Sequence, residues 1–208
     1  MTGAPTCSGC GDDLPSDARF CPSCGLAVAS ALSHQFLLAT SLLYLAMLGD
    51  ALDGMLARRF GLTRHFGRYL DGFMDVLIYL VAPSLVFYLH GFDGAWSLCL
   101  LAMLGAGCTR LSVFNEIGNV VNEDQGLAYL GMPVFWSLFI LAAYLLLALV
   151  LPAPWLHGLL AVALLSFSGA MVLKQPFFKF KQLWQILLIT LGGSGLFAWL
   201  HLAGVASV

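Results

Sequence analysis

Charged side chains are scarce in this sequence of 208 residues. Asp, Glu, Lys and Arg together make up 10% of it, whereas about 25% is usual for soluble globular domains. Hydrophobic residues make up 60%, and the mean hydropathy is +0.90. The shortage of charge excludes a soluble globular protein and indicates an integral membrane protein. The net charge is −2 and no basic stripe is present, so the composition does not indicate a nucleic-acid partner.

The first 30 residues lack the apolar core that a cleavable signal peptide requires. They contain instead four of the six cysteines, as two Cys-x2-Cys pairs separated by ten residues. This spacing is typical of a zinc ribbon, in which four thiolates bind one tetrahedral Zn²⁺. We therefore predict a domain over residues 1–30 that folds around structural zinc. The alternative is a disordered tail with two disulfides or free thiols. The predicted zinc ligands are Cys7, Cys10, Cys21 and Cys24.

Six apolar runs follow, each close to the roughly 20 residues that a membrane-spanning helix needs. The sequence therefore predicts an all-α polytopic membrane domain over residues 31–208, with about six transmembrane helices and the small zinc ribbon before them. The runs are approximately His34 to Gly54, Phe66 to Leu89, Ala95 to Phe114, Leu130 to Leu151, Trp155 to Lys174 and Leu183 to Leu202.

Basic residues are unevenly distributed among the links between these runs. The first link contains four arginines and the fifth three lysines, whereas the second and fourth contain no Lys or Arg. Because basic links are retained in the cytoplasm, we expect the odd-numbered links to be cytoplasmic. Both chain termini, and with them the zinc ribbon, would then lie on the opposite side of the membrane.

The stretch from Asp50 to Asp75 concentrates the charge that the rest of the chain lacks. It reads Asp-x2-Asp-Gly-x2-Ala-Arg, eight residues, then Gly-x3-Asp-x3-Asp. On helices these spacings place each set of residues on one face. Two antiparallel helices would bring the carboxylates together, where hard cations such as Mg²⁺ or Mn²⁺ neutralise them. The alternative, a solvated charged loop, does not explain the helical register on both sides. The four carboxylates belong to Asp50, Asp53, Asp71 and Asp75.

This pattern resembles, position by position, the signature of the CDP-alcohol phosphatidyltransferases. The resemblance implies transfer of a phosphatidyl group from CDP-diacylglycerol to the hydroxyl of a small alcohol, with release of CMP. It also implies two Mg²⁺ or Mn²⁺ ions bound by the four aspartates, with Asp75 as the catalytic base, and a homodimer in the lipid bilayer. The residues implied to admit and bind CDP are Gly54, Ala57, Arg58 and Gly67.

Three further stretches resemble the phosphatidylserine synthase branch and make L-serine the expected acceptor. They are Arg110-Leu-Ser-Val-Phe-Asn115, Gly131-Met132-Pro133 and Met171-Val172. Two positions depart from that branch, because Phe135 stands in place of a second proline and Leu173 in place of a serine. The candidate acceptor-binding residues are Arg64, Arg68, Arg110 and Asn115.

Three alternatives remain open at this point. In two of them the reaction is the same but the acceptor is glycerol phosphate or inositol phosphate. The basic residues near the last aspartate would then bind the phosphate of the acceptor. A non-catalytic adaptor that recruits a partner through the ribbon is the competing class, and the four aspartates argue against it. Members of the family usually have one more helix before the first aspartate pair, and the segment from Leu26 to Gly49 has room for one span only.

Overall fold

A computed structural model describes residues 31–59, 71–117, 120–122, 126–173, 176–177 and 183–205. Side chains are described for residues 31–52, 55, 71–114, 131–173 and 184–205. The predicted zinc ribbon lies outside these ranges, as do Arg64, Gly67 and Arg68. The residues for which only the helical backbone is described include Asp53, Gly54, Ala57, Arg58 and Asn115.

Six helices form the body of the described chain, as the apolar runs predict. Large apolar side chains are exposed along these helices as well as buried between them, among them Leu101, Val162 and Leu188. That distribution is expected where the outer face contacts lipid instead of water. The prediction of a bundle of apolar helices is therefore confirmed. The helices are α1 Phe36–Arg59, α2 Asp71–Leu89, α3 Ser97–Ile117, α4 Trp136–Ala148, α5 Ala153–Val172 and α6 Leu183–Leu202.

Four of these helices are long and apolar enough to cross a membrane, by length and composition. They correspond to Asp71–Leu89, Gly94–Phe114, Ala153–Val172 and Trp184–Leu202. Among the residues with described side chains, the shorter apolar helical segments are Phe36–Leu52 in α1 and Trp136–Ala148, which is α4. Helix α4 has 13 residues and a length of about 20 Å, against a hydrocarbon core of about 30 Å.

The fourth predicted run, from Leu130 to Leu151, is helical only from Trp136 onwards. Gly131 has a φ of 82°, in the left-handed region that a continuing helix does not use. Pro133 has no N–H to donate, so it suits the irregular segment before the helix. The prediction of a continuous apolar helix is therefore wrong at its start.

The prediction of an all-α fold omits a small antiparallel sheet in the links. Its strands are β1 Val120–Asn122, β2 Gly126–Leu130 and β3 Pro176–Phe177, in the order β1-β2-β3. Val121 pairs with Leu127, and Tyr129 pairs with Phe177. The sheet therefore joins the link between α3 and α4 to the link between α5 and α6.

The first and last helices of the bundle pack closely against each other. The Ser41 hydroxyl lies 3.0 Å from both the carbonyl and the hydroxyl oxygen of Ser194. The ring of Tyr44 lies against Gly193, where a Cβ atom would approach it to 2.8 Å. Glycine and serine thus let α1 and α6 approach closely and exchange a hydrogen bond, as is common between helices in membranes.

Candidate active site

Helices α1 and α2 form the antiparallel hairpin that the aspartate spacing predicts. At one end of the hairpin the rings of Phe36 and His90 are 5.0 Å apart, centroid to centroid. Further along both helices the Tyr79 hydroxyl donates a hydrogen bond of 2.7 Å to Oδ2 of Asp50. The contact between Phe36 and His90 marks the far end of the bundle, and the opposite end, toward Asp71, is called the aspartate end.

The buried face of α1 leads to Asp50. Leu43, Tyr44 and Met47 are buried on this face, and Asp50 follows Met47 at the next helical spacing of three residues. Asp50 is half-buried. The apolar stripe that packs α1 into the bundle therefore directs the first aspartate toward α2.

On α2 the burial of the side chains increases with each turn from the aspartate end. Asp71 is exposed and Asp75 half-buried, whereas Tyr79 is 3% exposed. The three residues follow one another at four-residue spacing, which keeps them on one side of the helix. The negative charges of Asp50, Asp75 and Asp71 act on the Tyr79 hydroxyl, that of Asp50 most strongly.

A π-helical turn covers Val76–Val81, directly after Asp75. Its widened geometry is seen in the hydrogen bond from the Ala82 N–H to the Leu77 carbonyl, five residues back. Pro83 accounts for the widening, because a proline in a regular α-helix collides with the carbonyl four residues earlier, here that of Tyr79. Turns of this kind are rare and are frequent at functional sites.

The structure describes the side chains of three of the four predicted metal ligands. Asp50 accepts the Tyr79 hydrogen bond from α1, and Asp71 and Asp75 lie on the same side of α2 as Tyr79. Their oxygen donors are of the kind that suits a hard cation such as Mg²⁺ or Mn²⁺. Within the ranges that have described side chains, no three His, Cys, Asp or Glu groups lie close enough together to hold an ion. The side chain of Asp53, the fourth predicted ligand, lies outside those ranges.

Arg110, a predicted acceptor-binding residue, is buried in the bundle at 6% exposure. Its Cζ atom lies 5.7 Å from the ring centroid of Phe114. Gly107, one turn earlier on α3, contacts Leu80, which places Arg110 about 4.5 Å nearer to the aspartate end. This burial does not fit a residue that anchors the end of a helix at the membrane surface.

Two stretches that resemble the phosphatidylserine synthase branch contact each other. The Met132 N–H donates a hydrogen bond of 3.0 Å to the Ala170 carbonyl. A Cβ atom at Gly131 would overlap with the backbone carbonyl of Met171. The Gly-Met-Pro and Met-Val stretches therefore form one structural contact at the start of α4 and the end of α5.

Tyr79 is the residue of the site that the sequence reasoning missed. It lies four residues beyond Asp75, and its sequence signal is the continuation of the spacing from Asp71 to Asp75. An aromatic residue in an apolar run is usually a core residue. The four-residue spacing therefore does not indicate a functional role for Tyr79 until its contact with Asp50 is known.

Comparison with known proteins gives matches along most of the chain. The family model described as CDP-alcohol phosphatidyltransferase matches residues 18–205. CDP-diacylglycerol–serine O-phosphatidyltransferase of Bacillus subtilis is 31% identical over 163 residues, which cover 76% of this chain and 85% of that protein. The protein of the same name in Helicobacter pylori is 31% identical over 112 residues, covering 52% and 46%. Phosphatidylcholine synthase of Rhizobium johnstonii is 26% identical over 126 residues, covering 58% and 50%.

Proposed function

The chain belongs to the CDP-alcohol phosphatidyltransferase family, and on that premise we propose that it transfers the phosphatidyl group of CDP-diacylglycerol to the hydroxyl of L-serine, releasing CMP. Family membership makes it an integral membrane enzyme that uses CDP-diacylglycerol and an alcohol. Two relatives named as serine O-phosphatidyltransferases support serine as that alcohol. The structural observation that carries the proposal is the hydrogen bond from the buried Tyr79 hydroxyl of α2 to Asp50 of α1, on the side of α2 that also carries Asp71 and Asp75.

Asp75 is the proposed base. The serine hydroxyl gives its proton to an Asp75 oxygen while its own oxygen forms a bond to the phosphorus that carries the diacylglycerol. The bond from that phosphorus to the oxygen shared with CMP breaks, and CMP leaves with the electron pair. Two Mg²⁺ or Mn²⁺ ions, when bound, supply positive charge that offsets the charge of the pyrophosphate. Their proposed ligands are Asp50, Asp53, Asp71 and Asp75.

Two kinds of residue, small and basic, make the proposed contacts with the substrates. Gly54, Ala57 and Gly67 leave room for the nucleotide to approach the helix backbone, and Arg58 pairs with a phosphate through its planar donor fork. The burial of Arg110 supports a carboxylate-binding role, because an anionic group stabilises a guanidinium in an apolar environment. The other proposed acceptor contacts are Arg64, Arg68 and Asn115.

The remaining features of the proposal concern the surroundings of the site. We propose six spans, with the aspartate end of the bundle facing the cytoplasm, and a homodimer in the membrane. The basic first and fifth links support the orientation. We also propose that residues 1–30 form a structural zinc ribbon, which the Cys-x2-Cys spacing supports. Elemental analysis is expected to find about one zinc ion per chain; no zinc, together with paired thiols, would contradict the ribbon.

The reaction is tested by CDP-diacylglycerol-dependent CMP release from the purified full chain in detergent with Mn²⁺ or Mg²⁺. L-Serine is expected to support release in a panel with choline, glycerol phosphate and inositol phosphate. Release with one of the other alcohols and not with serine would replace serine as the acceptor. No release with any alcohol would refute the catalytic proposal and favour the adaptor.

A matched pair of variants tests the role of Asp75. Asp75→Asn removes the proposed base and is expected to lower CMP release by about 100-fold or more. Asp93→Asn makes the same chemical change at an exposed residue in the second link, at the far end, and is expected to leave release unchanged. Equal rates of CMP release by folded Asp75→Asn and the wild type would contradict the assignment of Asp75 as the base.

A further inference from the structure

Tyr79 connects the two helices that carry the predicted metal ligands. Its hydroxyl bonds to Oδ2 of Asp50 across 29 residues of sequence, and its side chain is 3% exposed. We propose that Tyr79 is a positioning residue, which holds the Asp50 carboxylate in the orientation that a bound divalent cation requires. This inference rests on the proposed function, in which Asp50 is a metal ligand.

The chemistry of a carboxylate allows Tyr79 and a cation to bind Asp50 together. An ionised carboxylate offers about four lone-pair directions on its two oxygens, and the hydroxyl of Tyr79 uses one of those on Oδ2. Metal-binding carboxylates are themselves usually hydrogen-bonded, and loss of such a partner costs about 10- to 100-fold in metal affinity or activity. Mg²⁺ is especially sensitive, because it requires nearly ideal octahedral geometry.

The bundle fixes the position of the Tyr79 hydroxyl more firmly than that of Asp50. Tyr79 lies in the π-helical turn, and the next residue, Leu80, is 0% exposed. Leu80 packs directly against Gly107 of α3, so the turn cannot rotate without disturbing the contact between α2 and α3. Asp50 is half-buried, whereas Tyr79 is 3% exposed. The rigid partner is therefore the tyrosine, and the group that it orients is the carboxylate.

A purely structural role for the same hydrogen bond makes a different prediction. A bond that only ties α1 to α2 would lower thermal stability when it is lost, and it would leave the affinity for metal unchanged. Metal affinity, measured without catalysis, therefore distinguishes a positioning role of Tyr79 from a purely structural one.

The test uses Tyr79→Phe, which removes the hydroxyl and keeps the buried ring. Mn²⁺ binding to the purified full chain in detergent is followed by the electron paramagnetic resonance signal of free Mn²⁺. The Mn²⁺ dissociation constant is expected to rise by about 10- to 100-fold. In CMP release the KM for Mn²⁺ is expected to rise by the same factor, while kcat at saturating Mn²⁺ changes little. Thermal unfolding checks that the variant is folded.

Tyr144→Phe is the matched control, because it also removes one buried hydroxyl, which lies 2.9 Å from Nδ1 of His90 at the far end. It is expected to leave the Mn²⁺ dissociation constant unchanged. Tyr79→Phe is further expected to have no additional effect on Mn²⁺ affinity when Asp50 is already replaced in Asp50→Asn.

Three results would overturn the inference. Wild-type affinity for Mn²⁺ in Tyr79→Phe refutes the positioning role and leaves the proposed function intact. Additive losses in the Asp50→Asn background refute the link between the two residues. Absence of Mn²⁺ binding by the wild-type chain, with or without CDP-diacylglycerol, refutes both the inference and the proposed metal site.

Discussion

Gly107 of α3 lies directly against Leu80 of α2, so close that a Cβ atom at position 107 would overlap with the leucine side chain. Leu80 is fully buried and adjoins Tyr79, whose hydroxyl bonds to Asp50. A glycine thus sets the spacing between α2 and α3, at the level of the hydrogen bond between Tyr79 and Asp50.

Gly107→Val is therefore expected to destabilise the bundle. Overpacking at a buried contact typically costs about 1–3 kcal/mol, and thermal unfolding in detergent measures the loss. Leu80→Ala in the same chain is expected to restore part of the stability, because it removes the overlapping atoms. Gly105→Val is the control, since nothing lies within 4 Å of a Cβ atom at Gly105. Equal losses for the valines at 105 and 107 would contradict a specific contact with Leu80.

Gly131→Ala is expected to be more harmful than Gly204→Ala. Both glycines have positive φ angles, 82° and 69°, and a left-handed conformation costs a residue with a side chain about 1–2 kcal/mol. Nothing lies within 4 Å of a Cβ atom at Gly204, whereas at Gly131 it would overlap with the Met171 carbonyl. Because a backbone carbonyl cannot rotate away, the cost at Gly131 adds to the conformational strain.

The difference in stability between the two alanine variants reports the close contact of the segment before α4 with α5. It is measured as the difference in unfolding midpoint between the two proteins. If both variants lose the same stability, the contact between Gly131 and Met171 does not constrain the chain.

His90 is expected to make the stability of the protein depend on pH. Burial lowers the pKa of His90 from its usual value near 6.5, and the nearby charge of His157 lowers it further. The unfolded chain therefore binds more protons than the folded chain at a pH between the lowered pKa and 6.5. Stability should then fall as the pH is lowered through about 6.5, and it should be fully present above that value. Thermal unfolding at a series of pH values from 7.5 downwards measures this effect.

His90→Asn is the variant that assigns this pH dependence. It removes the titrating ring, which is hydrogen-bonded to the Tyr144 hydroxyl at 2.9 Å. The loss of stability at low pH should be smaller in the variant than in the wild type. An unchanged pH profile would assign the titration to another group.

Ser41→Ala is expected to destabilise the protein more than Ser194→Ala. Loss of the Ser41 hydroxyl removes its bond to the Ser194 carbonyl, at a cost of about 0.5–1.5 kcal/mol. In Ser194→Ala the carbonyl remains, and the Ser41 hydroxyl, 3.0 Å from it, can still donate to it. Thermal unfolding of the two variants tests the asymmetry. Equal losses in the two variants would mean that the contact between the two hydroxyls dominates, because both variants remove it.

The hairpin of α1 and α2 could be predicted from the sequence, because two simple regularities agree there. Apolar runs of sufficient length predict the helices, and the spacings that contain Asp50 and Asp75 place the aspartates on facing sides. The contacts of Phe36 with His90 and of Asp50 with Tyr79 confirm the antiparallel arrangement. The metal ligands and the bound nucleotide remain predictions.

The π-helical turn and the sheet could not be predicted in the same way. Pro83 shows that a regular helix is disturbed, but a kink and a widened turn both relieve its clash with the Tyr79 carbonyl. Strand β3 has two residues and pairs with a strand in a different link, so no local pattern marks it. These features depend on contacts between segments that are distant in the sequence.

The pairing of α1 with α6 has a consequence for the synthesis of the protein. Ser41 and Ser194 are 153 residues apart, so α1 enters the membrane long before the ribosome has made its partner. Until α6 is made, the Ser41 hydroxyl lacks its Ser194 partner, and the side of Tyr44 that packs against Gly193 has lipid or another protein as its neighbour. A chain that stops before α6 would retain Asp50 and Asp75 but leave this face uncovered.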